Sequence, residues 1–373
     1  MTTERFSLKD HLFNEAKVAY LGGLLAKAVP GLDRKRLEDE VNAALPALEL
    51  KQRIALIASV LRNHLASDFP SAAAQIQAAL PPPLDPSLKD DDFGDFILAP
   101  FGKYVEDNGV SYYDTSMGLL RELTMRFSME GSVRTFIEVK PEETLRLFES
   151  WARDPNYHVR RLVSESTRPR LPWAPRISLD PESSIPLLDI LHADPTRYVT
   201  RSVANHLNDI SKLRSDLALE TLSRWRGDKR QDPAELTWIE NHALRTLVKQ
   251  GHGESLIFLG YPPEPSVTGE IAIVDEVVPI GGRLTFSVSL LASDDTSLIV
   301  DYAIEFARNG GKPGRRVFKL RRLRMSDGER VEIVKTHQLR GDATTYRLHP
   351  GRHTVELMAN GTTLATADFD LVV

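Results

Sequence analysis

Two stretches of this chain, 40 residues apart, align position by position: "PEETLRLFESWARDPNYHVRRLVSES" (141–166) and "PESSIPLLDILHADPTRYVTRSVANH" (181–206). Pro141 falls on Pro181, Leu147 on Leu187, Asp154-Pro155 on Asp194-Pro195, Val159 on Val199, Arg161 on Arg201 and Val163 on Val203. A helix, an Asp-Pro turn and a second helix repeated at this period imply a stacked solenoid. One helix pair cannot bury its apolar face alone, so pairs stack and their second helices line a common, concave surface.

Helical periodicity runs to about residue 260, which predicts an all-α HEAT-like solenoid over 1–261. Ser7 and Asp10 read as a capping box ahead of one long helix through "HLFNEAKVAYLGGLLAKAV". Further helices are expected at 33–44, 49–66, 70–80, 115–128, 141–153, 156–167, 181–192, 196–211, 213–226 and 233–250. Past the proline-rich "GYPPEPSV" (260–267) the pattern changes to two-residue alternation, in "GRLTFSVSLLA", "SLIVDYAIEFA", "RRVFKLRRLRM", "ERVEIVKTHQL" and "HTVELMA". About seven short strands there predict an all-β immunoglobulin-like sandwich over 268–373. Tyr346, shortly before Gly351, has the placing of a tyrosine corner.

No apolar run approaches the ~20 residues of a membrane span, and the first residues lack a signal-peptide pattern. A cytoplasmic protein with no membrane partner is expected. Zero cysteines exclude disulfides, thiolate metal sites and a Cys nucleophile. The histidines show no HExxH or HxH spacing, so neither metal nor other cofactor is expected. A net charge of −5 argues against nucleic-acid binding by bulk electrostatics, so any such binding must use local clusters.

The register of helix 196–211 supplies a site. Val199, Val203, Leu207 and Ile210 form its buried stripe, which leaves Arg201, Asn205 and Asp209 on another face. One repeat earlier, Arg161 and Glu165 take the places of Arg201 and Asn205. One polar face thus carries Arg161, Glu165, Arg201, Asn205 and Asp209. Beside it, "RRLVSESTRPRLPWAP" (160–175) places Arg160, Arg161, Arg168 and Arg170 around Glu165, and ends with Trp173 between prolines.

Three stretches, "LRELTMRFSMEGSVRTFIEVKPEETL" (120–145), "WARDPNYHVRRLVSESTRPRLPWAP" (151–175) and "YVTRSVANHLNDISKLRSDLALETLSRW" (198–225), resemble the AlkC branch of the HEAT-like DNA alkylation repair proteins. The "RPRLPW" loop and the "VANHLNDISK" helix are the specific parts. The resemblance implies a DNA glycosylase that releases N3-methylated bases (3-methyladenine, 3-methylcytosine) from alkylated DNA; double-stranded DNA is the expected partner and a monomer the expected state. The strand-rich tail fits a subset carrying a C-terminal immunoglobulin-like domain. On this reading Glu165 and Asp209 are the catalytic carboxylates, with Glu130 of "FSMEGSVRTF" a further candidate. Trp173 and Asn205 would bind the damaged nucleotide, while Arg160, Arg161, Arg168, Arg170, Arg201 and Lys212 would hold the DNA. An N3-methylated base is cationic and leaves as a neutral molecule, so it needs no general acid. The sugar develops oxocarbenium character, which a carboxylate stabilises, and an aromatic ring attracts the cationic base.

Plainer readings exist for the same residues. Arg161 and Glu165 at i, i+4 fit a surface ion pair; Asp209 can pair with Lys212 or Arg201; Trp173 can cap a hydrophobic seam. A second basic cluster, "KPGRRVFKLRRLR" (312–324), includes Arg315, Arg316, Lys319, Arg321 and Arg322. It suits either an accessory DNA contact or an edge strand protected by charge. Strict alternation divides it between two faces, with Arg316, Phe318, Leu320 and Arg322 together. The competing function is a non-catalytic HEAT-repeat module that binds DNA or scaffolds proteins. Acids facing a phosphate backbone weaken such binding unless they have a task, which favours the enzyme.

Overall fold

The computed structural model describes residues 7–87, 93–308, 314–343 and 347–373. The chain divides into two compact units, Met1–Ala243 and Leu244–Val373.

In the first unit, helices Leu50–His64, Ala99–Asn108, Glu130–Val139, Tyr157–Ser166, Arg197–Ser211 and Pro233–Ala243 pack in succession, each against the next. Tyr113–Thr124, Pro141–Trp151, Ile185–Leu191 and Ser215–Asp228 are their companions in the helix pairs. This is the HEAT-like solenoid that the repeat predicts. The aligned valines Val159, Val163, Val199 and Val203 are all fully buried.

A ladder of ion pairs connects successive repeats at the Asp-Pro turns. Arg121 Nε donates to Asp154 at 2.8 Å, Arg160 Nε to Asp194 at 2.5 Å and Arg197 Nε to Glu235 at 3.0 Å. The same acids organise the helix starts: Asp154 accepts from Asn156 N, and Asp194 accepts from Thr196 N, both at 2.8 Å. Asp154 and Asp194 thus each fix their own turn and receive the previous repeat, while in the third rung Asp232 caps the helix start and Glu235 receives Arg197.

Several local expectations differ. The first helix is two, Leu8–Leu12 and Glu15–Ala28. Ser7 makes no side-chain cap, while Asn14 accepts from Lys17 N at 3.0 Å and starts the second helix. Residues 181–184 form a 3₁₀ turn before Ile185–Leu191, and the 233–250 helix is interrupted at Leu244. Helices Ala99–Asn108 and Glu130–Val139 follow no strong start signal in the sequence; the first opens with Pro100 at a helix start, where proline is tolerated.

The strands begin at Val267, after the proline-rich linker, and the compact unit that holds them also takes in helices Arg245–Lys249 and Gly253–Phe258. Among the described residues there are eight strands: β1 (Val267–Ile273), β2 (Val277–Pro279), β3 (Arg283–Ala292), β4 (Thr296–Phe306), β5 (Gly314–Met325), β6 (Arg330–Gln338), β7 (Gly351–Ala359) and β8 (Thr362–Val372). They form two sheets, β1-β3-β6 and β2-β8-β7-β4-β5. Alternating residues such as Phe286, Val288, Val300, Tyr302, Val355, Leu357 and Phe369 fill the space between the sheets. The tyrosine-corner candidate, Tyr346, lies outside the described residues, as does Lys312 of the basic cluster.

A bulge changes the reading of β5. Between Val300 and Asp301 the register to β5 skips Leu320, so Asp301 faces Lys319 and Val300 faces Arg321. Phe318, Leu320 and Leu323 all pack toward the core, which needs a change of parity between 320 and 323. Arg322 is therefore separated from Phe318 and joins Lys319 on the outward face. Both cations act on the buried Asp301, whose carboxyl burial pushes up and whose neighbours Lys249, Lys319 and Arg322 pull down.

Candidate nucleotide-binding site in the helical unit

Glu165 lies in the last turn of helix Tyr157–Ser166 and is 4% exposed. Arg168 curls back from the following residues: its Nη1 donates to Glu165 Oε2 at 2.9 Å and its Nε to Asp209 Oδ2 at 2.9 Å. One guanidinium thus joins the two carboxylates across neighbouring repeats. Lys212 holds the other Asp209 oxygen at 3.0 Å. From the opposite side Arg161 lies 3.8 Å from Glu165 Oε1 and 3.7 Å from Glu130 Oε2. Arg161 Nη1 also donates to Ser128 Oγ at 2.7 Å, and that hydroxyl donates to Glu130. The three candidate acids therefore belong to one network of alternating charge.

Burial alone would raise the Glu165 carboxyl. Arg161 and Arg168 oppose it, with hydrogen bonds from Arg168 and Ser202, and hold it below the ordinary glutamate range. The carboxylate is therefore ionised at neutral pH. His206, fully buried on the Asp209 helix, is pushed down to about 3 by burial and then by the Arg168 charge. It offers no acidic proton near neutrality.

Aromatic rings fix Arg161. Its guanidinium carbon is 4.7 Å from the Tyr198 ring centre and 5.4 Å from that of Phe93. Phe93 owes its place to Gly94, which has φ 76° and pairs with Phe127 in an isolated bridge. A Cβ on Gly94 would fall 1.7 Å from the Arg126 carbonyl oxygen, so only glycine permits this approach.

The loop after the helix carries Trp173. Pro172 and Trp173 are the central residues of a turn closed by Ala174 N to Leu171 O at 3.3 Å. Trp173 has φ 68°, where glycine or asparagine is usual. Its ring is 87% exposed, so it caps no hydrophobic seam. Lys51 Nζ binds its carbonyl at 2.5 Å. Holding a tryptophan in this conformation costs roughly 1–3 kcal/mol, a strain found mostly at functional sites.

The remaining residues singled out in the sequence have other surroundings. Asn205 Oδ1 pairs with His242 Nε2 at 2.9 Å, and Arg201 is half-buried on the same helix. Arg160 serves the inter-repeat ladder, whereas Arg170 is exposed. In the other unit Arg315 is bidentate to Glu356, at 3.0 and 2.9 Å, and Arg316, Lys319, Arg321 and Arg322 are exposed. Sequence reasoning missed Phe93, Ser128, Arg134, Tyr198 and Ser202. For two of these a signal existed, because Tyr198 and Ser202 precede Asp209 by 11 and 7 residues and share its helical stripe. No helix among the described residues is long and apolar enough to cross a membrane.

Comparison with known proteins agrees with this architecture. Residues 268–373 match the family model described as "Uncharacterised protein YhaZ, C-terminal Ig-like domain". The uncharacterized protein YhaZ of Bacillus subtilis (strain 168) is 28% identical over 365 residues, covering 96% of this chain and 98% of that protein. Among solved structures, the Pseudomonas fluorescens alkylpurine DNA glycosylase AlkC, bound to DNA containing an abasic site analog, is 31% identical. The match covers 99% of this chain and 100% of that one, with a TM-score of 0.88. The chain belongs to the AlkC family of HEAT-like DNA alkylation repair proteins, in the subset with a C-terminal immunoglobulin-like domain.

Proposed function

We propose that this protein is a DNA glycosylase for alkylated bases, and that its substrates are the cationic N3-methylated bases 3-methyladenine and 3-methylcytosine in double-stranded DNA. The observation that carries the reading is Glu165: an ionised carboxylate, 4% exposed, joined through Arg168 to Asp209 and lying just before the loop that carries the exposed Trp173.

Breaking the bond between C1′ and the base nitrogen leaves the electron pair on the base, which departs neutral. The sugar is left with oxocarbenium character, and water adds at C1′ and loses a proton to solvent. A carboxylate with a lowered pKa is a weak base, so Glu165 suits stabilisation of the developing sugar cation and orientation of the water better than strong proton abstraction. Asp209 shares its counter-ion and adds negative potential, and Glu130 does so through Arg161. Trp173 offers a face to the cationic base, an attraction of about 0.5–2 kcal/mol. Arg170, Arg201 and Lys212 would meet phosphates around this centre. The exposed cations of β5 would supply a separate backbone contact.

Incubation with methylated duplex DNA, scoring released bases and abasic sites, tests the reading. Release of both N3-methylated bases with uracil left untouched is the expected result. Binding without release would favour a non-catalytic DNA-binding module.

A further inference from the structure

Arg134 lies outside the carboxylate network, yet it controls the segment that the network depends on. It sits on helix Glu130–Val139 and is 3% exposed. Its guanidinium is directed at backbone: Nη1 donates to Ser166 O at 3.0 Å and to Arg168 O at 2.8 Å, and Nη2 to Pro175 O at 2.7 Å. Those carbonyls stand at the two ends of the segment that carries Arg168 and Trp173. One planar fork thus closes the loop at its base, a task lysine's single ammonium does poorly.

The loop needs a fixture of this kind. Arg168 must reach both Glu165 and Asp209, and Trp173 must be held at φ 68° with its ring in solvent. Of the loop's apolar side chains Leu171 is buried, at 9% exposed, whereas Trp173 contributes no burial of its own. Burying a guanidinium is costly, and desolvation pulls the Arg134 pKa down. An apolar side chain would fill the space without that cost, so the hydrogen bonds to the carbonyls explain the choice of arginine.

We propose that Arg134 is a positioning residue: it ties the 166–175 segment so that Trp173 and the Arg168 bridge keep their places together. Its effect on rate rests on the glycosylase reading, whereas the tether itself does not.

Arg134→Met removes the fork and keeps most of the volume. Trypsin can cut after the exposed Arg170 and Arg176, which precede Leu171 and Ile177, whereas Arg168 is followed by Pro169. Without the tether, native-state cutting at these sites should quicken by about tenfold or more, because it follows the population of the open loop. Unchanged cutting there overturns the tether. The second arm is a cycle with Trp173→Ala, read as single-turnover excision of 3-methyladenine. Each change alone should slow excision by roughly two- to thirtyfold, and the double variant should be little slower than the worse single one. Independent, multiplying losses would overturn the positioning role. Thermal midpoints should add, since Trp173 is 87% exposed. If Arg134→Met does not fold, Arg134→Lys takes its place in both arms, with the same outcomes. A wild-type protein that releases no methylated base sinks the glycosylase reading, and the trypsin arm still decides the tether.

Discussion

Residues 160–170 and 315–324 are the two arginine-rich stretches of the chain, and the structure treats them in opposite ways. In the first, Arg161 is 8% and Arg168 9% exposed, and each is engaged by carboxylates. Arg160 is half-buried in an inter-repeat pair, leaving Arg170 as the exposed cation. In the second, Arg315, Arg316, Lys319, Arg321, Arg322 and Arg324 are all exposed. Arginine density alone therefore says little about phosphate binding. Burial with acids produces an ionised carboxylate in a dry setting; exposure along a strand produces a field that a polyanion can meet.

The largest break of this comparison is Arg168→Met. Removing one member of a buried charge network leaves the others uncompensated, at about 3–5 kcal/mol. Glu165 and Asp209 would then face each other, so the loss should grow as pH rises above the carboxylate range. The urea transition of the helical unit checks this. Arg321→Ser on the exposed strand should stay within about 0.5 kcal/mol, and equal costs at both positions would erase the distinction between the two stretches.

Glu165→Gln comes next. Shape and most hydrogen bonding survive, but the charge opposite the sugar cation is lost. Excision should fall by on the order of 10²–10³-fold with DNA affinity retained. The folded-state pKa of Glu165 is depressed, so its contribution to stability is present above the unfolded value and lost as pH falls through the folded one. The acid limb of the wild-type rate should accordingly lie below the ordinary glutamate range and vanish in the variant. A single-turnover profile reads both, and near-normal turnover in Glu165→Gln would remove this residue from the mechanism.

How much of this was written in the sequence follows from which forces act locally. Helical register placed Val199, Val203, Leu207 and Ile210 in the core and set Glu165 and Asp209 on related faces. It did not reveal that Arg168 would turn back to join them, because that interaction spans 41 residues and depends on a loop path. The same holds for Phe93, whose position depends on Gly94 pressing against the Arg126 backbone. In the β half, alternation locates five strands, but Leu320 at the bulge reverses the parity that strict alternation gives the faces of β5. The proline-rich linker marks the change of period, between helix Gly253–Phe258 and strand Val267–Ile273, but no local pattern shows that two short helices before it group with the strands.

A smaller effect sharpens the other side of the comparison. Replacing Arg315, Arg316, Arg321 and Arg322 with serine should weaken binding to undamaged duplex and flatten its salt dependence. The slope should fall by roughly one log–log unit for each phosphate that is no longer neutralised. Excision at saturating protein should be nearly unchanged, since the carboxylate network is untouched. Arg315 is already bidentate to Glu356, so restoring it alone should recover the least affinity. Titrations at several salt concentrations measure this, and an unaltered slope would make β5 a solvated edge only.

The smallest expected change concerns Trp173→Gly. The residue occupies φ 68°, a conformation that costs a side-chain-bearing residue roughly 1–3 kcal/mol and glycine almost nothing. Glycine also gains freedom in the unfolded chain, which offsets about 0.4–1 kcal/mol of that relief. The exposed ring buries little, so its removal sacrifices little packing. The net effect should be a thermal midpoint that is unchanged or raised by up to several degrees. Excision of the cationic base should nonetheless fall, because the aromatic face is gone. A variant that is at least as stable and less active would identify the strain at Trp173 as maintained for binding. A clear loss of stability would instead mean that the ring supports the loop, and that its exposure is not functional.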